Sequence, residues 1–145
     1  MTTALGSEQW AVIGVVDPDA NTAAQYLTAA IDMSLWSRIV AVVQAGTLGS
    51  SGTLDFKLTD ASASGGSYTD ITGKAITQLT QAGTDADKQS IINLRFDELN
   101  DDARYVKAAM TVGTATSDCS AIVMGLPRYY PASDNDLSSV DEIVN

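Results

Sequence analysis

The sequence predicts an all-β domain, an antiparallel β-sandwich of about eight strands, on three observations. Short segments alternate apolar and polar residues, turn-forming residues separate them at sandwich spacing, and hardly any reactive side chain sits among them. The alternation is clearest in Leu54-Asp55-Phe56-Lys57-Leu58-Thr59, Ile92-Asn93-Leu94-Arg95-Phe96 and Val106-Lys107-Ala108-Ala109-Met110-Thr111-Val112. Successive strand side chains point to opposite faces, so each segment offers one apolar and one polar face to a sheet.

Eight strands follow in order: Trp10–Val16, Tyr26–Met33, Trp36–Gln44, Thr53–Asp60, Tyr68–Leu79, Lys88–Phe96, Arg104–Val112 and Ser120–Leu126. Asp17-Pro18-Asp19 is expected to end the first, because proline donates no ladder hydrogen bond. The second could be misread as a helix from its alanines, but Leu27, Ala29, Ile31, Met33 and Leu35 keep a period of two. Gly46 to Gly52 reads as a flexible hairpin tip. Gly73 marks a break in the fifth strand, where a glycine signals a bulge or a sharp bend. The stretches 61–67, 83–87 and 113–118 are turns, and 97–102 is too short and acidic for more than a single helical turn.

The domain spans residues 10–126, between an N-terminal arm, 1–9, and an extended C-terminal arm with an acidic tail, 127–145. Pro127-Arg128-Tyr129-Tyr130-Pro131 favours extended chain. Either a partner holds this arm or its end frays, since termini stay loose unless tied down.

With 145 residues the chain buries about 68–70% of its unfolded surface and folds without staples. The single cysteine, Cys119, reads as a structural thiol beside an apolar run. The chain has no histidine, which removes the commonest general base and metal ligand. Asp and Glu number 18 against 8 Lys and Arg, and the net charge of −10 repels nucleic acid and anionic membranes. The N-terminus carries no targeting pattern and no apolar run is long enough to span a bilayer, so a soluble protein made in the cytosol is expected.

No motif supplies chemistry. Gly73-Lys74-Ala75 lacks the first glycine and the Ser/Thr of a phosphate loop. Asp17-x-Asp19-x-Asn21 begins like a calcium loop but has Thr22 and Thr28 where glycine and glutamate belong. The carboxylates fall in turns or on exposed strand faces, not in a site that would raise one pKa for glycoside hydrolysis. A non-enzymatic protein without cofactor or metal is expected. Exposed strand faces read as mostly Thr, Ser, Ala and Lys. Core packing is the favoured reading for Trp10 and Trp36 alike, with an interface role as the alternative, while Arg128, Tyr129 and Tyr130 in the arm are the interface candidates, with Trp10 near the other end.

Phe56-Lys57-Leu58, the run from Tyr68 to Leu79, Ile91-Ile92-Asn93-Leu94-Arg95, Arg104-Tyr105-Val106-Lys107, Thr111-Val112-Gly113 and Arg128-Tyr129-Tyr130-Pro131 together carry a resemblance. Over about Trp10 to Pro131 the chain resembles the cement or decoration proteins of tailed double-stranded DNA bacteriophages. The resemblance implies a jelly roll of two four-stranded sheets. It also implies a place on the virion, outside an HK97-type capsid, and a homo-oligomer, a dimer before a trimer, clamping major capsid protein subunits. It implies no particular functional residue. The rival readings are a carbohydrate-binding module, which needs an exposed aromatic platform, and a tail-fibre or collar component.

Overall fold

The computed structural model describes residues 3–129, 131–132 and 135–145. Ten strands form among the described residues: β1 Ala11–Asn21, β2 Ala24–Leu27, β3 Ile31–Asp32, β4 Trp36–Ala45, β5 Thr53–Ala61, β6 Thr69–Ala75, β7 Leu79–Thr80, β8 Gln89–Arg95, β9 Tyr105–Gly113 and β10 Ser117–Pro127. One sheet has the order β1-β10-β4-β8 and the other β2-β9-β5-β6, with β3 on β9 and β7 on β5. All pairings are antiparallel.

The pairs β1·β10, β2·β9, β4·β8 and β5·β6 are nested, as in one long hairpin that has rolled up so that alternate pairs join opposite sheets. That is a jelly roll, the all-β antiparallel sandwich. The period-two faces meet in the middle: Ile39, Ala41, Val43, Leu94 and Val123 from one sheet oppose Leu54, Phe56, Leu58, Val106 and Met110 from the other. Trp36 is buried, and its ring lies over Gly125, where a Cβ would come within 2.7 Å of Cε3. Cys119 is a buried free thiol whose pKa burial pushes up.

Several expectations need correction. The first strand runs on through Asp17-Pro18-Asp19, because β1 is an edge strand and its register on β10 slips between Val16 and Asp19. Proline is tolerated at an edge or a bulge, where no ladder donor is lost. The expected strand Tyr26–Met33 is two pieces on β9, and one extra residue enters between Leu27 opposite Ala109 and Ile31 opposite Val106. There the buried Thr28 accepts the Ala108 amide on its hydroxyl at 3.0 Å, so a side chain replaces a ladder carbonyl. The break at Gly73 is present: φ is +76°, a conformation glycine adopts without strain, and β6 changes register on β5 there.

Residues 46–52 cross from one sheet to the other instead of closing a hairpin, and Leu48 among them is buried. At the N-terminus Gly6–Gln9 makes one helical turn, with Glu8 accepting the Leu5 amide at 2.8 Å. Phe96–Glu98 is a single 3-10 turn. Among the described residues of the C-terminal arm, the part around Ala132, Asp136 and Leu137 is tied down on the domain, and 141–145 are exposed. Ala132 is fully buried, the Leu137 amide donates to the Val12 carbonyl at 2.9 Å, and the Val12 amide donates to Asp136 Oδ1 at 2.7 Å. That part of the arm therefore lies on its own edge strand.

Candidate functional site

The outward face of the β1-β10-β4-β8 sheet is the candidate, because its composition is wrong for a solvated surface. Val15 lies opposite Ile122, Ile122 opposite Val42, and Val42 opposite Ile91. Four branched apolar side chains thus form a line across all four strands. The next line holds Val12, Met124, Val40 and Asn93. These residues alternate with the buried set, Ile91 is 62% exposed, and the other apolar ones are half-buried by one another. An antiparallel sheet with one face on the core normally turns polar residues outward, so a continuous apolar band marks a contact surface. The expectation of polar exposed faces fails here because β4 and β10 carry Val40, Val42, Ile122 and Met124 at the outward phase as well as apolar residues at the inward one.

The band has two different ends. Leu126, Arg38 and Arg95 lie in line at one end. Arg95 pairs with Asp97 at 3.0 Å, while Arg38 is exposed and takes part in none of the five ion pairs among the described residues. Ser120, Gln44 and Gln89 are in line at the other. Past them Asp19, Asp87 and Asp118 line an open hollow of about 470 Å³. Asp19 Oδ1 accepts its neighbouring Ala20 amide, and buried Asn21 spends its amide on the Asp19 and Cys119 carbonyls. The Asp17-x-Asp19-x-Asn21 run is thus built as a bulge, and no cluster of three metal-ligating side chains occurs among the described residues.

The opposite sheet is polar outside, as the sequence suggested for both. Gln25, Thr111 and Asp55 lie in one line, and Lys57 bridges to Asp70 at 2.7 Å. The aromatic rings on this side carry cations: Lys107 Nζ sits 4.5 Å from the Tyr68 ring centre and the Arg104 guanidinium 5.2 Å from that of Tyr105. Desolvation pushes the Tyr68 hydroxyl up in pKa. Arg104 also grips Asp32 through two hydrogen bonds and holds its carboxyl down at about 2.

Of the residues singled out in the sequence, Trp10 is half-buried and directly precedes Ala11, so by alternation it extends the Val12 side of the band. Arg128 turns inward: Nε donates to the Trp36 carbonyl at 3.0 Å and Nη2 to that of Met33 at 3.2 Å, and the guanidinium covers Phe96 at 4.1 Å. Tyr129 is 76% exposed beside Leu35, Trp36 and Pro127. Tyr130 lies outside the described residues. Trp10, Arg128 and Tyr129 all fall at the Ala11–Gly125 end of the β1·β10 pair, off the centre of the band. The band itself escaped residue-type reasoning because aliphatic side chains spread over four strands become a patch only once the register is known.

No protein-family model matches the chain, and no curated protein does. Among solved structures, a chain of the Bacillus endospore appendages, disulfide-linked pili, is 13% identical with a TM-score of 0.39, covering 88% of this chain and 99% of that one. The family 22 carbohydrate-binding module of Clostridium thermocellum Xyn10B is 14% identical with a TM-score of 0.42, covering 86% and 89%. A chain of infectious bursal disease virus, Gx strain, is 13% identical with a TM-score of 0.43, covering 88% of this chain and 34% of its own length. At these values the likenesses carry no argument about function, and the jelly-roll assignment rests on the strand pairing.

Proposed function

We propose that this chain is a structural virion protein that binds the outside of a tailed-phage capsid and stabilises it by bridging major capsid protein subunits. The observation that supports this reading is the apolar band on the outer face of the β1-β10-β4-β8 sheet. Fully burying a valine, isoleucine or methionine contributes about 1.5–3 kcal/mol, so a band of six valines and isoleucines with Met124 has enough apolar surface for stable docking. A protein that binds only the assembled shell adds its binding free energy to that state alone. Simultaneous engagement of two shell subunits, or of a homodimer with several, raises the effective affinity without a new kind of contact. The protein works through surfaces, with no catalytic step and no cofactor.

A carbohydrate-binding module would use the opposite, polar face, where cations cover Tyr68 and Tyr105 and leave no bare stacking platform on those sides of the rings. The deciding experiment is co-sedimentation of the purified protein with undecorated shells of the phage that encodes it, counting copies per capsid subunit. Saturation at a fixed ratio is expected. Absence of binding to intact shells, with a positive glycan array, transfers the assignment to the carbohydrate reading.

A further inference from the structure

Edge strands expose unpaired backbone groups, and folded proteins blunt them against unwanted pairing. Three of the four edges here are blunted. On β1 there is Pro18 and, at Val12, the clasp of Asp136 and Leu137. β6 loses register around Gly73, and β2 is only four residues long. The fourth edge, β8, is different.

The Ala45 amide donates to the Lys88 carbonyl at 2.9 Å, in register with the β4·β8 ladder. Hydrogen-bonded pairs alternate along an antiparallel ladder. Residues 90, 92 and 94 therefore face β4 with their backbone groups, and 89, 91, 93 and 95 point theirs away. The structure confirms the phase at the far end: Lys74 Nζ donates to the Asn93 carbonyl, and the Arg95 amide donates to Glu98 Oε2, both at 2.8 Å. Those two positions are closed by side chains, and Gln89 and Ile91 are left open. Ile91 is also the exposed end of the apolar line Val15–Ile122–Val42–Ile91, so open backbone and apolar surface coincide at one residue. Next along the edge, Asp87 takes part in none of the ion pairs among the described residues.

We infer that β8 receives an extended segment of the shell protein as an added strand along Gln89–Ile91. An apolar side chain of that segment covers Ile91 and Val42, and a basic one faces Asp87. This deepens the capsid-docking function proposed above and rests on it. Backbone pairing supplies affinity in strand addition, alternate side chains supply specificity, and the acidic flank selects a basic neighbour.

The test compares Ile91→Pro with Ile91→Ala in co-sedimentation with undecorated shells, each protein first checked for an unchanged thermal melt. Proline at 91 removes only the outward amide and leaves the β4 ladder whole. The expected result is at least a tenfold loss of affinity for Ile91→Pro, larger than that for Ile91→Ala. Equal losses reduce the site to side-chain packing and overturn the added strand. Wild-type binding with no loss in Ile91→Pro overturns the inference and leaves the docking function standing, whereas no wild-type binding removes both. Amide exchange on wild-type decorated particles gives a variant-free reading: the Gln89 and Ile91 amides must gain protection on assembly, and unchanged exchange there rejects the strand.

Discussion

The guanidinium of Arg128 donates from Nε to the main-chain carbonyl of Trp36, 92 positions earlier in the chain, at 3.0 Å. With its second bond to Met33 and its stacking on Phe96, this makes Arg128 the bolt that fastens the start of the C-terminal arm to the beginning of β4. Hydrogen bonds from charged donors contribute about 1.5–3 kcal/mol, and a cation over an exposed ring about 0.5–1 kcal/mol. Arg128→Ala is expected to destabilise the domain by about 2 kcal/mol in urea titration. Arg128→Lys is expected to recover only part, because an ammonium lacks the planar fork that reaches both carbonyls. An unchanged midpoint in Arg128→Ala would show that the arm is held elsewhere.

Acid should loosen the other end of the same segment. Asp32 is held down to about 2 from 3.8, first by its hydrogen bond from Arg104 and then by those from Ser34. A folded-state pKa below the unfolded one means that the ionised carboxylate stabilises the fold. That contribution is complete above pH 4 and is lost as the pH falls from about 4 through about 2. Solvent screening of this partly exposed pair keeps it near about 1 kcal/mol. Glu98 is shifted in the same direction by the Arg95 amide and Lys74. Thermal melts at pH 5 and pH 2.5 should therefore differ more in wild type than in Asp32→Asn; parallel pH dependence in the two proteins would dismiss the pair as a source of acid sensitivity.

The fold class was legible because period-two alternation is local: in Leu54–Leu58 of β5 and throughout β8 local phase and final burial agree residue by residue, while Thr59 and Ala61 in β5 and Ala109 in β9 are buried out of phase. The errors arose where tertiary partners decided. Pro18 stays in a strand only because β1 has no second neighbour, and Leu48 is buried only because its segment crosses between the sheets. The arm lies flat because Asp136 finds the Val12 amide, a pairing 124 residues apart that no window along the chain can show. For the same reason the apolar band was invisible: Val42 and Ile122 look like ordinary core residues until the two sheets fix which neighbours, Val43 and Val123, face inward.

Thr28 tests one of those tertiary decisions directly. It sits where the alternation that starts at Leu27 changes phase, so that Thr28, Ile31 and Met33 are buried while Leu27 is 51% exposed. Its hydroxyl is the acceptor for the Ala108 amide, and its own amide donates to the Ala108 carbonyl at 3.1 Å. Thr28→Val keeps the shape and removes the acceptor, leaving a buried donor unpaired at a cost of about 1–3 kcal/mol. Thr28→Ser keeps the acceptor and should lose much less. Equal melting temperatures for the valine and serine variants would mean that water or a shifted backbone satisfies Ala108.

The sharpest contrast lies between adjacent residues of β4. Val43 is fully buried between the sheets, and Val42 points the other way into the middle of the outer apolar line. Val43→Lys would place an uncompensated charge in the core, which a domain with a stability of about 5–15 kcal/mol does not survive intact. Val42→Lys puts the ammonium at the outer surface, where its stem lies over Ile122 and Ile91 and its head reaches water. Stability should change by no more than about 0.5 kcal/mol, the range of ordinary surface substitutions. If the band docks on a capsid, the same lysine would be trapped between two apolar surfaces, and attachment in the co-sedimentation assay should fall at least tenfold. Val42→Lys that melts like wild type and still saturates the shell at the wild-type ratio would remove the band from the interface. Loss of attachment with an unchanged melt places the docking surface on this face of the sheet.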